Sequence, residues 1–262
     1  MLSVLLLTTF VGVVDGFIVT VAIPSIQAGL RMTSGEAQLV VSVYGLAYAV
    51  ALVTGGRLGD LLGHRRMFMS GMAGFVAASG ACAAATGPFL LIGARVAQGL
   101  AAAAMLPQVL SLIRTALPGS RQDRAMGWYG MTVGLDVVAG PVAGSLLLLA
   151  ADWAGWSWRW IFLVNVPIGV AVLAVALLAV PGTPGRGGAR PGSAGMSGRA
   201  GDRLDLAGNG LFASGLTALL VALSQGPGSR WRRGRSAAWC SRPPRWWRSL
   251  PGSGGSRRRC CR

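Results

Sequence analysis

The sequence predicts an all-α polytopic membrane protein, and three observations carry that reading. Only 12% of the 262 residues are charged while 53% are hydrophobic, with a mean hydropathy of +0.56. An ordinary soluble domain is about 25% charged. Five or more apolar runs of about 20 residues follow one another, each long enough to cross roughly 30 Å of hydrocarbon as a helix. Arginines gather in alternate connections between those runs. A soluble Rossmann or barrel enzyme is excluded by the charge deficit. A disulfide-rich secreted fold is excluded because three of the four Cys lie in the last 23 residues.

Seven helical spans are predicted, at 2–23, 37–53, 67–85, 89–113, 126–150, 161–180 and 204–223. The first is no signal peptide: it has no basic n-region, is too long for an h-region and carries Asp15 in its middle. With the N-terminus in the cytoplasm, the inner connections hold Arg57, Arg65, Arg66, Arg114, Arg121, Arg124, Arg186, Arg190, Arg199 and Arg203. The outer connections hold Arg31 and Arg159 alone. That asymmetry over short loops orients a multi-pass protein of the plasma membrane with a cytoplasmic N-terminus. Residues 1–180 form a six-helix unit, 181–203 a Gly/Pro/Arg-rich cytoplasmic linker, 204–228 a seventh span and 229–262 a basic tail. Small-xxx-small pairs such as Gly12/Gly16, Gly130/Gly134 and Gly140/Gly144 let helices approach closely in lipid.

The net charge of +16 divides unevenly. Residues 1–229 carry 13 Arg and 8 acids, giving +5, and 230–262 carry 11 Arg and no acid, giving +11. The body is therefore no nucleic-acid binder by charge, and no nucleic-acid partner is expected. The tail also holds 4 of the 9 Trp and no apolar run that could form a span, and it is expected to be disordered. Span counting puts it outside, where its arginines contradict the orientation of everything before it. It reads as an out-of-frame or aberrant translation. The rival reading is a polybasic segment that binds anionic lipid or nucleic acid.

Four segments carry chemistry. GRLGDLLGHRR at 56–66 joins spans two and three: Gly56 and Gly63 permit a tight turn, Asp60 can pair with a helix N-terminus or an Arg, and Arg65 and Arg66 hold the loop at the cytoplasmic face. Arg95 lies in span four, where a cation costs about 2.5–3.5 kcal/mol on insertion scales. It either faces a cavity or partner, or snorkels to the outer interface. In span five, Gly134, Gly140, Pro141 and Gly144 set a helix bend against which another helix closes. Asp136 in the same span is either a protonatable site or the wall of a small polar pocket. Asp15 in span one is a functional residue by default, loading and releasing a proton, against the alternative of a neutral hydrogen-bonded carboxyl. His64 is the only His, so no catalytic triad, catalytic residue or metal site is expected. Cys82 reads as buried, inert packing.

Together these segments resemble the major facilitator superfamily, and most closely its fourteen-span drug:proton antiporter branch. The run at 56–66 fits the pattern G-x-L-x-D-x-x-G-x-R-R/K. Arg95, Gln98 and Gly99 fit R-x-x-Q-G. Gly140-Pro141 through Gly144 resembles G-P-x-x-G-G, with Ser145 in place of the last Gly. Asp15 through Pro24 resembles D-x-T-x-x-N-V-A-L-P, with Phe17 and Thr20 at the Thr and Asn positions. Trp158 through Gly169 fits the same branch, with an aromatic cluster to anchor span six at the outer interface. The resemblance runs from about Val4 to Pro227.

It implies a major-facilitator-type bundle in which this chain supplies the six-helix N-terminal half, as two inverted three-helix repeats, plus a seventh span. It implies proton-coupled export of small hydrophobic or cationic compounds, with no cofactor beyond the proton gradient. Arg95 would lie near the proton pathway with Asp15 and Asp136, and the span-five motif marks exporters. The implied partners are a small-molecule substrate, protons, the lipid bilayer and a missing C-terminal transporter half that carries the partner of Asp60. Without that half the chain is expected not to complete alternating access. A non-transporting truncated product, a membrane-anchored binding protein acting through the tail, and a facilitator for another metabolite stand beside this reading.

Overall fold

A computed structural model of the chain describes residues 1–117, 119–153, 158–179 and 215, with the side chain of residue 152 left aside. The polypeptide divides into two compact units, Met1–Ala213 and Ser214–Arg262. In the second, the one described residue, Gly215, is helical. The predicted linker, seventh span and tail otherwise lie outside the described residues.

The first unit is built of α1 (Leu2–Leu30), α2 (Ser34–Leu62), α3 (His64–Ala83), α4 (Pro88–Ala116), α5 (Ser120–Trp153), α6 (Trp160–Leu163) and α7 (Asn165–Ala179). The helices outrun the apolar runs because polar and glycine signals set their ends. Arg31 stops α1 in a left-handed conformation (φ 51°). Thr33 and Glu36 form a capping box that starts α2 three residues before its apolar run, with Thr33 N–H donating to Glu36 Oε2 at 2.7 Å. Gly63 (φ 95°) separates α2 from α3, and Pro88 opens α4. The predicted sixth span is broken at Val164 into α6 and α7.

Among the described residues, α1, α2, α4, α5 and the segment Trp160–Leu178 are long and apolar enough to cross a membrane. The predicted third span is the exception. α3 has 20 residues, begins with His64, Arg65 and Arg66, and is rich in Gly, Ala and Ser. Its place in the bundle comes from packing against α4 and α7. The strongest pairings are α1 with α5, α2 with α4, and α3 with α4. Exchanging the first three helices for the last three turns the α1·α5 pair into α4·α2, the relation expected of two repeats.

Glycines make both of those pairs close. A Cβ at Gly140 would meet Phe17 Cβ at 2.7 Å, and one at Gly144 would meet Ile18 Cγ1 at 2.9 Å, so α5 lies directly on α1. On α2 the same spacing recurs: a Cβ at Gly55 would strike the Ala103 carbonyl, and one at Gly59 the Gln108 side chain. Gly130 and Gly134 meet nothing within 4 Å. Gly134 thus makes no close helix contact among the described residues. α5 runs as a continuous helix through Pro141, and the Ser145 hydroxyl donates to the Pro141 carbonyl at 2.9 Å.

Two apolar cores stack along the helices. One gathers Leu5, Phe68, Phe75, Met105, Leu112 and Val172. The other gathers Ile18, Val40, Cys82, Leu91, Trp158 and Phe162. Asp15, Ser79, Arg95, Gln98 and Asn165, all buried, lie at the sequence positions where each helix passes from one core to the other.

Gly140→Val forces a branched side chain into Phe17, an overpacking that costs about 1–3 kcal/mol. Thermal unfolding in detergent should show that loss. Gly134→Val, into open space, should stay within about 0.5 kcal/mol apart from helix propensity.

Candidate functional site

The layer between the two cores is a closed polar network. Arg95 on α4 has no solvent exposure, and neither has Asp15 on α1. Their side chains form a buried ion pair through Arg95 Nη1 and Asp15 Oδ2. The second carboxylate oxygen, Oδ1, accepts from Asn165 Nδ2 at 2.6 Å. Arg95 Nη1 also donates to Gln98 Oε1 at 2.7 Å, and Nε to the Val40 carbonyl at 3.3 Å. Gln98 is one helical turn on, which is why the Arg-x-x-Gln spacing places both groups on one face. Its Nε2 donates to Ser79 Oγ at 2.9 Å, and Ser79 in turn donates to the Phe75 carbonyl at 2.8 Å. Cys82 is fully buried beside it, its Sγ 3.6 Å from Gln98 Oε1.

Arg95 Nη2 has no hydrogen-bond partner among the described residues. The guanidinium carbon lies 4.3 Å from the centroid of the Tyr44 ring and 5.8 Å from that of Phe162, and these faces supply electron density where an oxygen is lacking. The Tyr44 hydroxyl donates to the Gly12 carbonyl at 2.7 Å. This geometry overturns the snorkelling alternative for Arg95. It places the Asp15 carboxyl against Arg95 and Asn165.

Asp136 stands apart from that network. It is fully buried on α5, and neither carboxylate oxygen has a hydrogen-bond partner among the described residues. No described residue donates to it. The structure brings Asp15 and Arg95 together and does not bring Asp136 to them.

At the α2–α3 turn the structure redistributes the expected roles. Gly56 is helical within α2 with open space around it, so the turn belongs to Gly63 alone. Asp60 is exposed and pairs with no arginine among the described residues; its Oδ1 is 3.6 Å from His64 Nε2. His64 Nδ1 is 2.8 Å from Gln108 Oε1, and Gln108 Nε2 donates to the Gly55 carbonyl at 2.8 Å. Arg66 is exposed, whereas Arg65 Nη2 donates to the Leu177 carbonyl at 2.7 Å, near the end of α7. Arg159 performs the reciprocal act. Before α6 it donates from Nε to the Ala83 carbonyl at 2.8 Å and from Nη2 to the Ala85 carbonyl at 2.7 Å, closing the C-terminus of α3. Each of these two spans thus carries an arginine at its start that grips the end of the other. Of the aromatic cluster that opens span six, Trp158 is buried edge-on against Phe162 with centroids 6.2 Å apart.

Tyr44, Ser79, Gln108 and Asn165 have no role in the sequence-based expectations. An amide within an otherwise apolar run was the signal for Gln108 and Asn165. Tyr44 and Ser79 carried none, because a membrane helix tolerates both without a partner.

Comparison with known proteins agrees with the fold. The chain belongs to the Major Facilitator Superfamily, whose family model matches residues 5–242. It is 40% identical over 230 residues to the probable actinorhodin transporter of Streptomyces coelicolor, covering 88% of this chain and 37% of that protein. It is 38% identical over 217 residues to the cephamycin export protein CmcT of Amycolatopsis lactamdurans, covering 82% of this chain and 41% of that one. The chain therefore spans well under half the length of these relatives. Among solved structures, peptide transporter POT in complex with alafosfalin shares the fold at a TM-score of 0.60 and 16% identity, covering 91% of this chain and 48% of the other.

Arg95→Leu leaves the Asp15 carboxylate buried with Asn165 as its one remaining partner, a change worth about 3–5 kcal/mol. A double-mutant cycle with Asp15→Asn, read by thermal unfolding, should show the double variant losing much less than the sum of the singles.

Proposed function

We propose that this chain is part of a proton-coupled exporter of small hydrophobic or cationic compounds, oriented with its N-terminus in the cytoplasm of the plasma membrane. The observation that supports it best is the buried Asp15–Arg95 pair, which joins α1 to α4 and, through Asn165, to α7. A proton taken up by Asp15 removes the charge that Arg95 faces. The guanidinium then keeps Gln98, the Val40 carbonyl and the Tyr44 and Phe162 faces, and the contact between α1 and α4 weakens. That is a two-state element whose balance a proton can bias. Asp136, buried without a partner, offers a second protonation site on the α5 side of α1. Arg65, holding the end of α7, and Asp60 and Arg66, exposed beside it, form the cytoplasmic latch. A C-terminal half would complete the substrate cavity and rock against this one. The names of the export proteins it matches support an antibiotic or drug as substrate.

The test is gradient-driven efflux of ethidium in everted vesicles carrying the transporter to which this chain contributes. Asp15→Asn should cut the proton-driven component by at least about tenfold, within the scale of typical coupling free energies. Undiminished efflux would remove Asp15 from the coupling role. Asp136→Asn should give a smaller loss that shifts the pH dependence of efflux.

A further inference from the structure

We propose that His64 is a cytoplasmic pH sensor that positions Asp60: its imidazolium clasps the Asp60 carboxylate to the α2–α3 turn, and the neutral ring releases it. The two side chains meet across Gly63, whose φ of 95° turns the chain from α2 into α3. His64 Nε2 lies 3.6 Å from Asp60 Oδ1, within ion-pair reach but too long for a hydrogen bond. On the other side of the ring, Nδ1 lies 2.8 Å from Gln108 Oε1.

The state of the ring follows from what Gln108 faces. Its amide nitrogen donates to the Gly55 carbonyl at 2.8 Å. A carbonyl can only accept, so the amide oxygen is the atom turned to His64. Gln108 is fully buried and lies against Gly59, where a Cβ would strike its amide. An acceptor fixed in this way requires the hydrogen on Nδ1. A neutral ring with that hydrogen turns the bare lone pair of Nε2 toward a carboxylate, and the two repel. A second proton, on Nε2, converts that repulsion into attraction. Imidazolium alone therefore suits both neighbours.

The ring is partly exposed and Asp60 more than half exposed, at 17% and 53%, so protons reach the first and partners the second. Among the described residues, the other charged groups at this end of α2, α3 and α4 are Arg57, Arg65, Arg66 and Arg114. Arg65 is engaged by the Leu177 carbonyl, and α7 brings no charge of its own. Arginines stay charged throughout, whereas imidazole changes charge in the physiological range. This inference rests on the export reading and deepens it. Proton-coupled export delivers protons to the cytoplasmic face, where they would draw Asp60 from the latch and slow the cycle.

The full chain contains one histidine, so 15N-labelled histidine reports the His64 ring alone in NMR spectra of the detergent-solubilised chain. In the neutral ring the hydrogen is expected on Nδ1, and a hydrogen on Nε2 overturns the clasp. Asp60→Asn removes the charge that favours imidazolium. It should lower the titration midpoint by at least about 0.3 pH unit, the scale of an exposed pair. An unmoved midpoint also overturns the clasp. Transport is read as ethidium efflux in everted vesicles carrying the transporter to which this chain contributes. The pH gradient is held constant while the outer pH, which bathes the cytoplasmic face, falls from about 8 to about 6. Efflux should fall about two- to fivefold. His64→Gln should lose that fall, and His64→Arg, charged at every pH, should keep the slower rate throughout. A wild-type fall retained in His64→Gln overturns the sensor and leaves the exporter reading. Absence of proton-driven efflux in the wild type removes the exporter reading, while tautomer and midpoint still decide the clasp.

Discussion

A guanidinium with no exposure to water constrains the whole bundle. Moving a cation out of water is costly, so every element that surrounds Arg95 has to answer it. α1 supplies a carboxylate, α2 a carbonyl and an aromatic face, α4 an amide one turn away, and α6 a second ring. Asn165 on α7 then satisfies the remaining oxygen of Asp15. No one of these groups would suffice, and together they fix how the helices may rotate about their axes. The polar layer interrupts the apolar packing at one level, which is why the molecule has two cores instead of one continuous column.

The close approaches are the second constraint, because lipid removes the hydrophobic drive between helices. Gly140 and Gly144 bring α5 onto α1, and Gly55 and Gly59 bring α2 onto α4. These contacts place α1 and α4 close enough to the other helices for Arg95 to reach its partners. The ends of α3 and α7 are tied by Arg65 and Arg159, each answering carbonyls that the opposite helix leaves without an intrahelical donor. A helix of modest apolarity such as α3 is held by those bonds and by packing, where hydropathy alone would not have placed it.

Much of the fold could be read from the sequence because lipid enforces one simple rule: backbone groups must be satisfied within each span. Apolar length therefore found most of the helices. The ends were less legible, since Thr33, Glu36 and Gly63 act through caps and turns that hydropathy does not see. Asp15 and Arg95 were legible individually because each is anomalous in an apolar run. The motif at 56–66 was expected as a loop, whereas 56–62 continue α2 and 64–66 open α3, and the division of labour within it was not legible. Gly63 makes the turn, Gly59 admits Gln108, and Gly56 does neither.

The sequence by itself determined that this is a bundle of membrane helices with charges stranded inside it, because length, apolarity and misplaced charge are local properties of the chain. Only the tertiary structure decided which charges meet. Asp15 and Arg95 are 80 residues apart and pair, while Asp136, equally buried, is left without a partner. The physical reason is that a pairing depends on helix rotation and depth, and both are set by small-residue contacts made between distant spans.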